Sequence, residues 1–327
     1  MFTMIVRLTS VIVISLGLIS CGSDTDSEIT TLRLGHTLDT QHSVHKAMVH
    51  FGERLNALSN GAMNVKIYPS SQLGTEREMI ELLQIGSLSM TKVSASPLEG
   101  FVPAMKIFSI PYIFRDNDHF WKVLNSEVGQ GLLAGVEPFR LKGLAYYDAG
   151  SRSFYTNNKP VRTPADLAGM KIRVLNSPTA VRTVRELGGA ATPVAWGELY
   201  TALQQGVVDG AENNPPSYYL SRHYEIARYY SLDEHTSVPD VMLMSLRVWE
   251  NLTEQQQEWV DKAMQDSVIF QRQAWQESTL DSLAKVKADG VEVIYPDKKP
   301  FVEAVKPFHE SLRGTAVGDL ISQIKAM

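Results

Sequence analysis

Residues 31–69 read TLRLGHTLDTQHSVHKAMVHFGERLNALSNGAMNVKIYP and predict a strand, a helix and a second strand. Leu32 and Leu34 alternate with polar residues, as in a strand that is buried on one face. Apolar residues from Val44 to Leu58 recur at helical spacing, and an Asn-Gly pair ends this helix. The second strand runs from Met63 to Tyr68 and stops at a proline. Such units build sheets of mostly parallel strands that are covered by helices.

The same alternation of strands and helices occurs twice along the chain. The first set continues with a helix at 76–85 and a strand at 88–93. The second set has predicted strands at 144–147, 154–156 and 170–174, and predicted helices at 180–187 and 196–205. Residues 82–88 and 202–208 share a helix end, a glycine and a strand start, although two short helix ends can also resemble each other by chance. We therefore expect two similar α/β halves, with ligands at the carboxyl ends of their strands.

A long helix is predicted near the end of the chain. Thr253 and Gln256 form a capping box, and the pattern continues without Pro or Gly to Asp289. At ~1.5 Å per residue such a helix is about 55 Å long, which exceeds the ~30 Å diameter of a small domain. We therefore expect one domain of 29–150 plus about 239–275 and another of 151–238 plus about 276–327. A hinge would join them.

Composition excludes several classes of protein. The chain has 327 residues, of which 44% are hydrophobic, so it can bury a core and is not disordered. It carries 31 Lys and Arg against 36 Asp and Glu, with no long block of either sign, which argues against nucleic-acid binding. We find no nucleotide-binding glycine loop and no serine-nucleophile motif, and the single cysteine cannot form an internal disulfide. We therefore expect neither an enzyme nor a cofactor.

The first 28 residues look like a targeting segment. Arg7 precedes an apolar run of about a dozen residues, which is typical of a signal peptide and too short to span a bilayer. Leu18-Ile19-Ser20-Cys21 resembles a bacterial lipobox. We therefore predict a signal peptide at 1–20, lipidation at Cys21 and a polar tether at 21–28. Simple cleavage nearby is the alternative. Both processes imply export, so we predict a periplasmic protein. If Cys21 is lipidated, the protein is also tethered to the membrane.

Four histidines, His36, His42, His45 and His50, fall within fifteen residues. A metal site needs three or four converging ligands, whereas the spacing puts the last three at the start or on the surface of one helix. We therefore predict no metal site. His36 differs from the others because it ends a strand where a cleft would lie.

Two arginines lie where the chain should be buried. Arg152 follows the strand that begins at Leu144, and Arg173 interrupts the apolar strand Ile172 to Val174. A buried guanidinium needs an anionic partner and fits a carboxylate with two parallel hydrogen bonds. An internal Asp or Glu and a bound acid both satisfy this need, so both remain open.

Five ordered motifs resemble one family, the DctP-type solute-binding proteins of TRAP transporters. They are SQLGTERE at 71–78, GSR at 150–152, DLAGMKIRV at 166–174, WGELYTALQ at 196–204 and VDGAEN at 208–213. The resemblance extends from about Leu32 to Phe308. It implies an α/β, two-domain periplasmic-binding-protein fold of the type II kind, with a central cleft and a long helix that spans both domains.

The resemblance also implies a ligand site. Arg173 resembles the main carboxylate clamp, Arg152 a second cationic donor and Asn213 an amide that helps to hold the acid. Trp196 is similar to an aromatic wall, and Glu76 to an acceptor for ligand hydroxyls.

Three more residues complete the predicted site. Lys92 and Ser94 would line the same side as Glu76, and His36 would lie opposite. Residues 90–99 and 213–219 look most like the hexuronate-binding branch. The sialic-acid branch looks apolar at the position of Lys92.

The sequence therefore predicts a monomeric extracytoplasmic receptor that performs no chemistry. It would bind D-glucuronate or D-galacturonate and deliver it to the membrane permease subunits of a TRAP transporter. A receptor for another organic acid, such as a C4-dicarboxylate, a 2-oxo acid or sialic acid, is the alternative. A lipid-anchored uronate-processing enzyme and a His-rich metal receptor are alternatives from other classes, and no motif supports them.

Overall fold

A computed structural model describes residues 29–327, which form eleven strands and thirteen α-helices. The strands are β1 (Thr30–Gly35), β2 (Met63–Tyr68), β3 (Met90–Ser94), β4 (Leu141–Tyr147), β5 (Ser151–Thr156), β6 (Lys171–Val174), β7 (Ala190–Pro193), β8 (Gly210–Asn213), β9 (Tyr229–Ser237), β10 (Asp240–Ser245) and β11 (Glu292–Ile294). The helices are α1 (Ser43–Leu58), α2 (Glu76–Gln84), α3 (Ala95–Leu98), α4 (Asn117–Leu124), α5 (Glu127–Ala134), α6 (Pro178–Glu186), α7 (Leu199–Gln204), α8 (Pro215–Leu220), α9 (Leu246–Glu250), α10 (Glu254–Ala288), α11 (Lys299–Ala304), α12 (Lys306–Ser311) and α13 (Ala316–Ala326).

The strands form two separate sheets. The first has the order β2-β1-β3-β10-β4 and the second the order β11-β9-β5-β8-β6-β7. We call each sheet with the elements packed on it a lobe, the first lobe and the second lobe. The prediction of two α/β halves is confirmed. The expectation of mostly parallel strands holds only in part, because β10 is antiparallel to both of its neighbours and so is β5.

The antiparallel strands result from the way the chain crosses between the lobes. β4 runs towards one crossing and β10 leaves the other, so that Asp240 lies opposite Tyr147. On the far side, Ser151 at the start of β5 lies opposite Ser237 at the end of β9. Two neighbouring segments that cross in opposite directions must pair antiparallel, and together they form the hinge.

The long helix α10 spans both lobes, as predicted. It has 35 residues, and its first turn has the predicted capping box between Thr253 and Gln256. Near its start, Val260 belongs to an apolar cluster of the first lobe, whereas Val286 near its end belongs to a cluster of the second lobe. Within residues 29–327, no helix combines the length and the apolar character needed to cross a membrane.

The last helix, α13, packs on the first lobe, whereas we expected residues 276–327 to belong to the second lobe. Phe308, Ile321 and Ile324 are buried in the same apolar cluster as Val241 of β10. The sequence shows that α13 has an apolar face, but it does not show which of the two sheets covers that face. The other domain boundaries stay a prediction.

Candidate functional site

Two adjoining cavities lie between the lobes, beside the carboxyl ends of several strands. The inner one has a volume of about 40 Å³, room for about three waters at ~10–15 Å³ each, and the outer one about 360 Å³. Both are lined by Thr37 and Glu76 of the first lobe and by Leu175 and Trp196 of the second. The structure thus places a polar cleft where open α/β sheets bind ligands.

Arg173 forms part of the wall of the outer cavity. It lies on β6, and the residue is only 1% exposed. Its Nε donates to the Val194 carbonyl at 2.9 Å, and its Cζ lies 5.8 Å from the centre of the Trp196 ring. Its Nη1 is buried without a hydrogen-bond partner among the described residues. Burial lowers the pKa of Arg173, and the more distant carboxylates of Glu212 and Glu76 do not offset this effect.

Arg152, in contrast, is paired inside the protein. Its Nε and Nη2 donate to the Glu212 carboxylate, with the Nη2–Oε1 distance at 3.0 Å, and its Nη1 donates to Asn213 Oδ1 at 2.9 Å. Burial alone would lower the pKa of Arg152, but the charge of Glu212 raises it. Burial would raise the pKa of Glu212, yet Arg152 and His235 lower it to about 2. Arg152 lines the inner cavity, so its direct role towards a ligand stays a prediction.

Two more charged groups extend the pair of Arg152 and Glu212. His235 Nε2 lies 3.6 Å from Glu212 Oε2, and His235 Nδ1 lies 2.9 Å from Asp233 Oδ2. Burial opposes protonation of His235, but the two carboxylates raise its pKa to about 9. Sequence reasoning missed this chain of charges. The available signal was the spacing of Asp233 and His235, which puts both side chains on the same face of strand β9.

The first lobe carries a second buried ionic cluster. Lys92 Nζ lies 3.1 Å from Asp240 Oδ1 and 3.4 Å from Glu76 Oε1. Ser94 contributes its backbone N–H to Glu76 at 3.0 Å and its hydroxyl to Asp240 at 3.2 Å. Burial raises the pKa of Glu76, and the two carboxylates raise the pKa of Lys92 against the effect of burial. The structure thus brings three predicted residues together around Asp240, which the sequence analysis missed.

Asn213 and Trp196 come from the second lobe. Asn213 Oδ1 accepts from Arg152 and from the Asn214 backbone N–H at 2.9 Å, so its Nδ2 is the end of the amide left for a ligand. Trp196 begins a 3₁₀ turn (Trp196–Glu198) and lines both cavities. The predicted helix at 196–205 is therefore a 3₁₀ turn followed by α7.

The histidines separate into different environments. His36 is fully buried, its Nε2 lies 2.9 Å from His45 Nδ1, and it lines neither cavity of the cleft. Burial lowers the pKa of His36 to about 2. His42 is the N-cap of α1, as its position predicted, but it also lines the inner cavity. Its Nε2 lies 3.3 Å from the hydroxyl of Ser217 in the second lobe, a contact the sequence did not indicate.

The described residues contain no group of three or more His, Cys, Asp or Glu side chains arranged to hold a metal ion. Cys21, the predicted lipidation site, lies outside the described residues 29–327.

Two lobes that are joined by crossing strands and enclose a polar cleft define a solute-binding protein. Residues 34–314 match the family described as bacterial extracellular solute-binding protein, family 7. The chain belongs to this DctP family.

Solved structures of TRAP periplasmic solute-binding proteins are similar to the chain over nearly its whole length. A protein from Xanthobacter autotrophicus Py2 with bound β-D-galacturonate is 40% identical, with a TM-score of 0.87 over 90% of this chain and 99% of that one. One from Pseudomonas putida F1 with bound D-glucuronate is 38% identical, with a TM-score of 0.88 over 91% and 97%. One from Polaromonas sp. JS666 bound to D-erythronate is 32% identical, with a TM-score of 0.88 over 91% and 99%. The chain is therefore a TRAP solute receptor and not an enzyme.

Proposed function

We propose that this receptor binds a hexuronate, D-glucuronate or D-galacturonate, in the cleft and delivers it to the membrane permease of a TRAP transporter. The observation that carries the proposal is the Nη1 of Arg173, a buried donor without a partner among the described residues, on a group that lines the outer cavity. A buried cation of this kind is strongly stabilised by a carboxylate. Relatives that are 40% and 38% identical hold galacturonate and glucuronate.

The opposite wall supports a ligand that also carries hydroxyl groups. Glu76, Thr37 and Ser71 line the outer cavity and offer oxygen atoms to hydroxyl groups. From the second lobe, Asn213 Nδ2 offers a donor beside the inner cavity. One carboxylate at Arg173 and several hydroxyls towards Glu76 describe a sugar acid.

The alternative ligand is a different organic acid. The relative that binds D-erythronate supports a shorter polyhydroxy acid. A dicarboxylate would need a second cation, yet Arg152 and Lys92 are already paired with internal carboxylates, and the exposed Arg77 pairs with Glu81. A ligand with a single carboxylate therefore fits better than a C4-dicarboxylate or any other diacid.

Thermal unfolding with matched pairs of ligands tests the proposal. Galacturonate at 100 times its Kd should raise the free energy of unfolding by about 2.7 kcal/mol, whereas galactose, which lacks the carboxylate, should have no effect. The Arg173→Ala variant should lose the response to galacturonate. Equal stabilisation by galactose and galacturonate would rule out an acid-specific site, and stabilisation by erythronate alone would favour the alternative.

We propose further that the protein works as a periplasmic monomer tethered to the membrane by a lipid on Cys21. Its family is extracellular, which supports export. The Cys21→Ser variant should move from the membrane fraction to the soluble fraction without a change in Kd, since the residues that line both cavities of the cleft lie between Thr37 and Trp275. Retention of Cys21→Ser in the membrane would contradict lipid anchoring, and light scattering of the purified protein checks the monomer.

A further inference from the structure

A carboxylate of the first lobe holds the start of a helix in the second lobe. Glu99 follows α3, and its carboxylate accepts a hydrogen bond from the Ser177 hydroxyl. It also accepts from the Thr179 hydroxyl at 2.6 Å and from the Thr179 backbone N–H at 3.4 Å. Ser177 is the N-cap of α6, so the negative charge lies at the end of the helix where the dipole favours it.

This contact lies next to the ligand cleft but outside it. Neither Glu99 nor its two partners line the inner or the outer cavity. Pro97, two residues before Glu99, lines the outer cavity from the first lobe, and Asn176, one residue before Ser177, lines it from the second. A ligand in the cleft therefore does not need to touch Glu99, although the same approach of the two lobes forms both the closed cleft and this contact.

The contact also moves with the proposed ligand clamp. Ser177 follows Arg173 by four residues and lies three residues after the end of β6, the strand that carries the clamp. Since β6 and the start of α6 belong to the same lobe, bringing Arg173 towards the first lobe brings Ser177 and Thr179 to Glu99. Separation of the lobes would leave the Glu99 carboxylate without these three donors.

We propose that Glu99 is a closure latch, a positioning residue that stabilises the closed arrangement of the lobes and so sets the affinity for every ligand by the same factor. The choice of ligand rests on the proposed function, but the latch does not depend on it. The apparent Kd of a receptor rises as the fraction of molecules in the binding-competent state falls. The contact between Glu99 and the start of α6 forms only when the lobes are together. It therefore changes the fraction of molecules in the binding-competent state without touching the ligand.

Glu99→Gln and Thr179→Val test the latch, singly and combined. Glu137→Gln is the matched control, because Glu137 is an exposed carboxylate of the same lobe that pairs with Lys142 and lines neither cavity. We expect each latch variant to raise Kd about tenfold for glucuronate and galacturonate alike, mainly through faster dissociation. The double variant should raise Kd by less than the product of the two single effects, because both substitutions act on the hydrogen bond between Thr179 and Glu99. Small-angle scattering of the ligand-free variants should show a larger radius of gyration.

The outcomes separate the latch from the identity of the ligand. An unchanged Kd and an unchanged radius of gyration in Glu99→Gln, as in Glu137→Gln, would overturn the latch. A large loss for one uronate and none for the other would also overturn it, because that result means direct contact with the ligand. If the parent protein binds no uronate, the proposed function fails, and the radius of gyration of the ligand-free variants alone decides the latch.

Discussion

Arg152 and Arg173 show how two similar residues acquire different roles. Both are buried arginines on strands of the second lobe. Arg152 has Glu212 as a partner within the protein, whereas Arg173 keeps a donor without a partner among the residues described. Removal of Arg152 would leave the buried Glu212 charge with only His235, 3.6 Å away, as a partner, which should destabilise the fold. We expect removal of Arg173 to act mainly on ligand binding.

The first prediction therefore concerns Arg173. Arg173→Ala should weaken uronate binding by ~2–5 kcal/mol, because it leaves the ligand carboxylate desolvated and unpaired. Arg173→Lys should also bind clearly more weakly, since an ammonium group cannot reproduce the planar fork. Calorimetric titration measures both, and Arg185→Ala, an exposed arginine on α6, is the control that should bind like the parent. Binding by Arg173→Ala within threefold of the parent would show that Arg173 is not the clamp.

A second prediction follows from His235. Its pKa in the folded protein is about 9, against ~6.5 in an unfolded chain, so the folded state binds the proton more tightly. The resulting stability is fully present below pH 6.5 and is lost as the pH rises to 9, by up to about 3 kcal/mol. Urea unfolding of the parent at pH 6.5 and at pH 9 measures this loss.

The control is His235→Gln, which should be less stable but should lose much less stability over this pH range. His36, His42 and His223 oppose this loss by only ~0.4 kcal/mol each, because burial lowers the pKa of each to about 2 or 3, so that they stay neutral in the folded protein while the unfolded chain still binds part of a proton at pH 6.5. A parent protein that is equally stable at pH 6.5 and pH 9 would contradict a charged His235.

Among the elements, α10 connects the two lobes and also fixes the hinge. Gln271 is completely buried in this helix, and its amide pairs with both the N–H and the C=O of Asp148 at 2.7 Å. Gly150, two residues after Asp148, has a φ of +58°, and a Cβ at this position would lie 3.3 Å from Trp275 Nε1. The helix therefore holds the point at which β4 leaves the first lobe.

The start of α10 gives a third prediction. Thr253→Ala removes the hydroxyl that accepts from the Gln256 N–H at 3.2 Å and should cost about 1 kcal/mol of stability. Thr253→Ser keeps the hydroxyl and should match the parent. Urea unfolding measures the stability, and uronate Kd should stay unchanged in both variants, because the cap is remote from the cleft. A stability loss of the same size in Thr253→Ser would mean that the methyl group matters and the cap does not.

On the scale of the whole molecule, the chain passes between the lobes several times, so neither lobe is a continuous segment. β4 and β5 carry it one way, β9 and β10 return it, and α10 crosses again. The last helix ends on the first lobe, where Ile324 is fully buried. Residues that are far apart in sequence therefore stabilise the same core.

This arrangement gives a fourth prediction. Ile324→Ala should lower the free energy of unfolding by ~2–5 kcal/mol, the usual cost of a cavity left by a buried side chain. Amide hydrogen exchange should speed up in β4 and β10 of the first lobe before it does in β6 and β8. Gln323→Ala, at the neighbouring exposed position, should behave like the parent. Faster exchange confined to the second lobe would show that α13 packs there.

The sequence by itself determined the two α/β halves, the approximate positions of the strands and helices predicted in them, and the long helix with its cap, whereas it gave no prediction for β9, β10 or α13. These follow from local rules, because periodicity and capping act between residues within a few positions of each other. The sequence also indicated Arg173 as a buried cation, since a charged side chain inside a short apolar strand is drawn into the protein interior. The family motifs added the type of cleft.

Only the tertiary structure decided which charges are already paired. Glu212 neutralises Arg152, and Asp240 and Glu76 neutralise Lys92, although the sequence analysis placed both cations in the ligand site. Likewise, α13 covers the first lobe, and His42 reaches Ser217 across the cleft. The contact between His42 and Ser217, for example, joins residues that are 175 positions apart. Electrostatic pairing depends on distances of a few ångströms, and only the folded chain sets those distances.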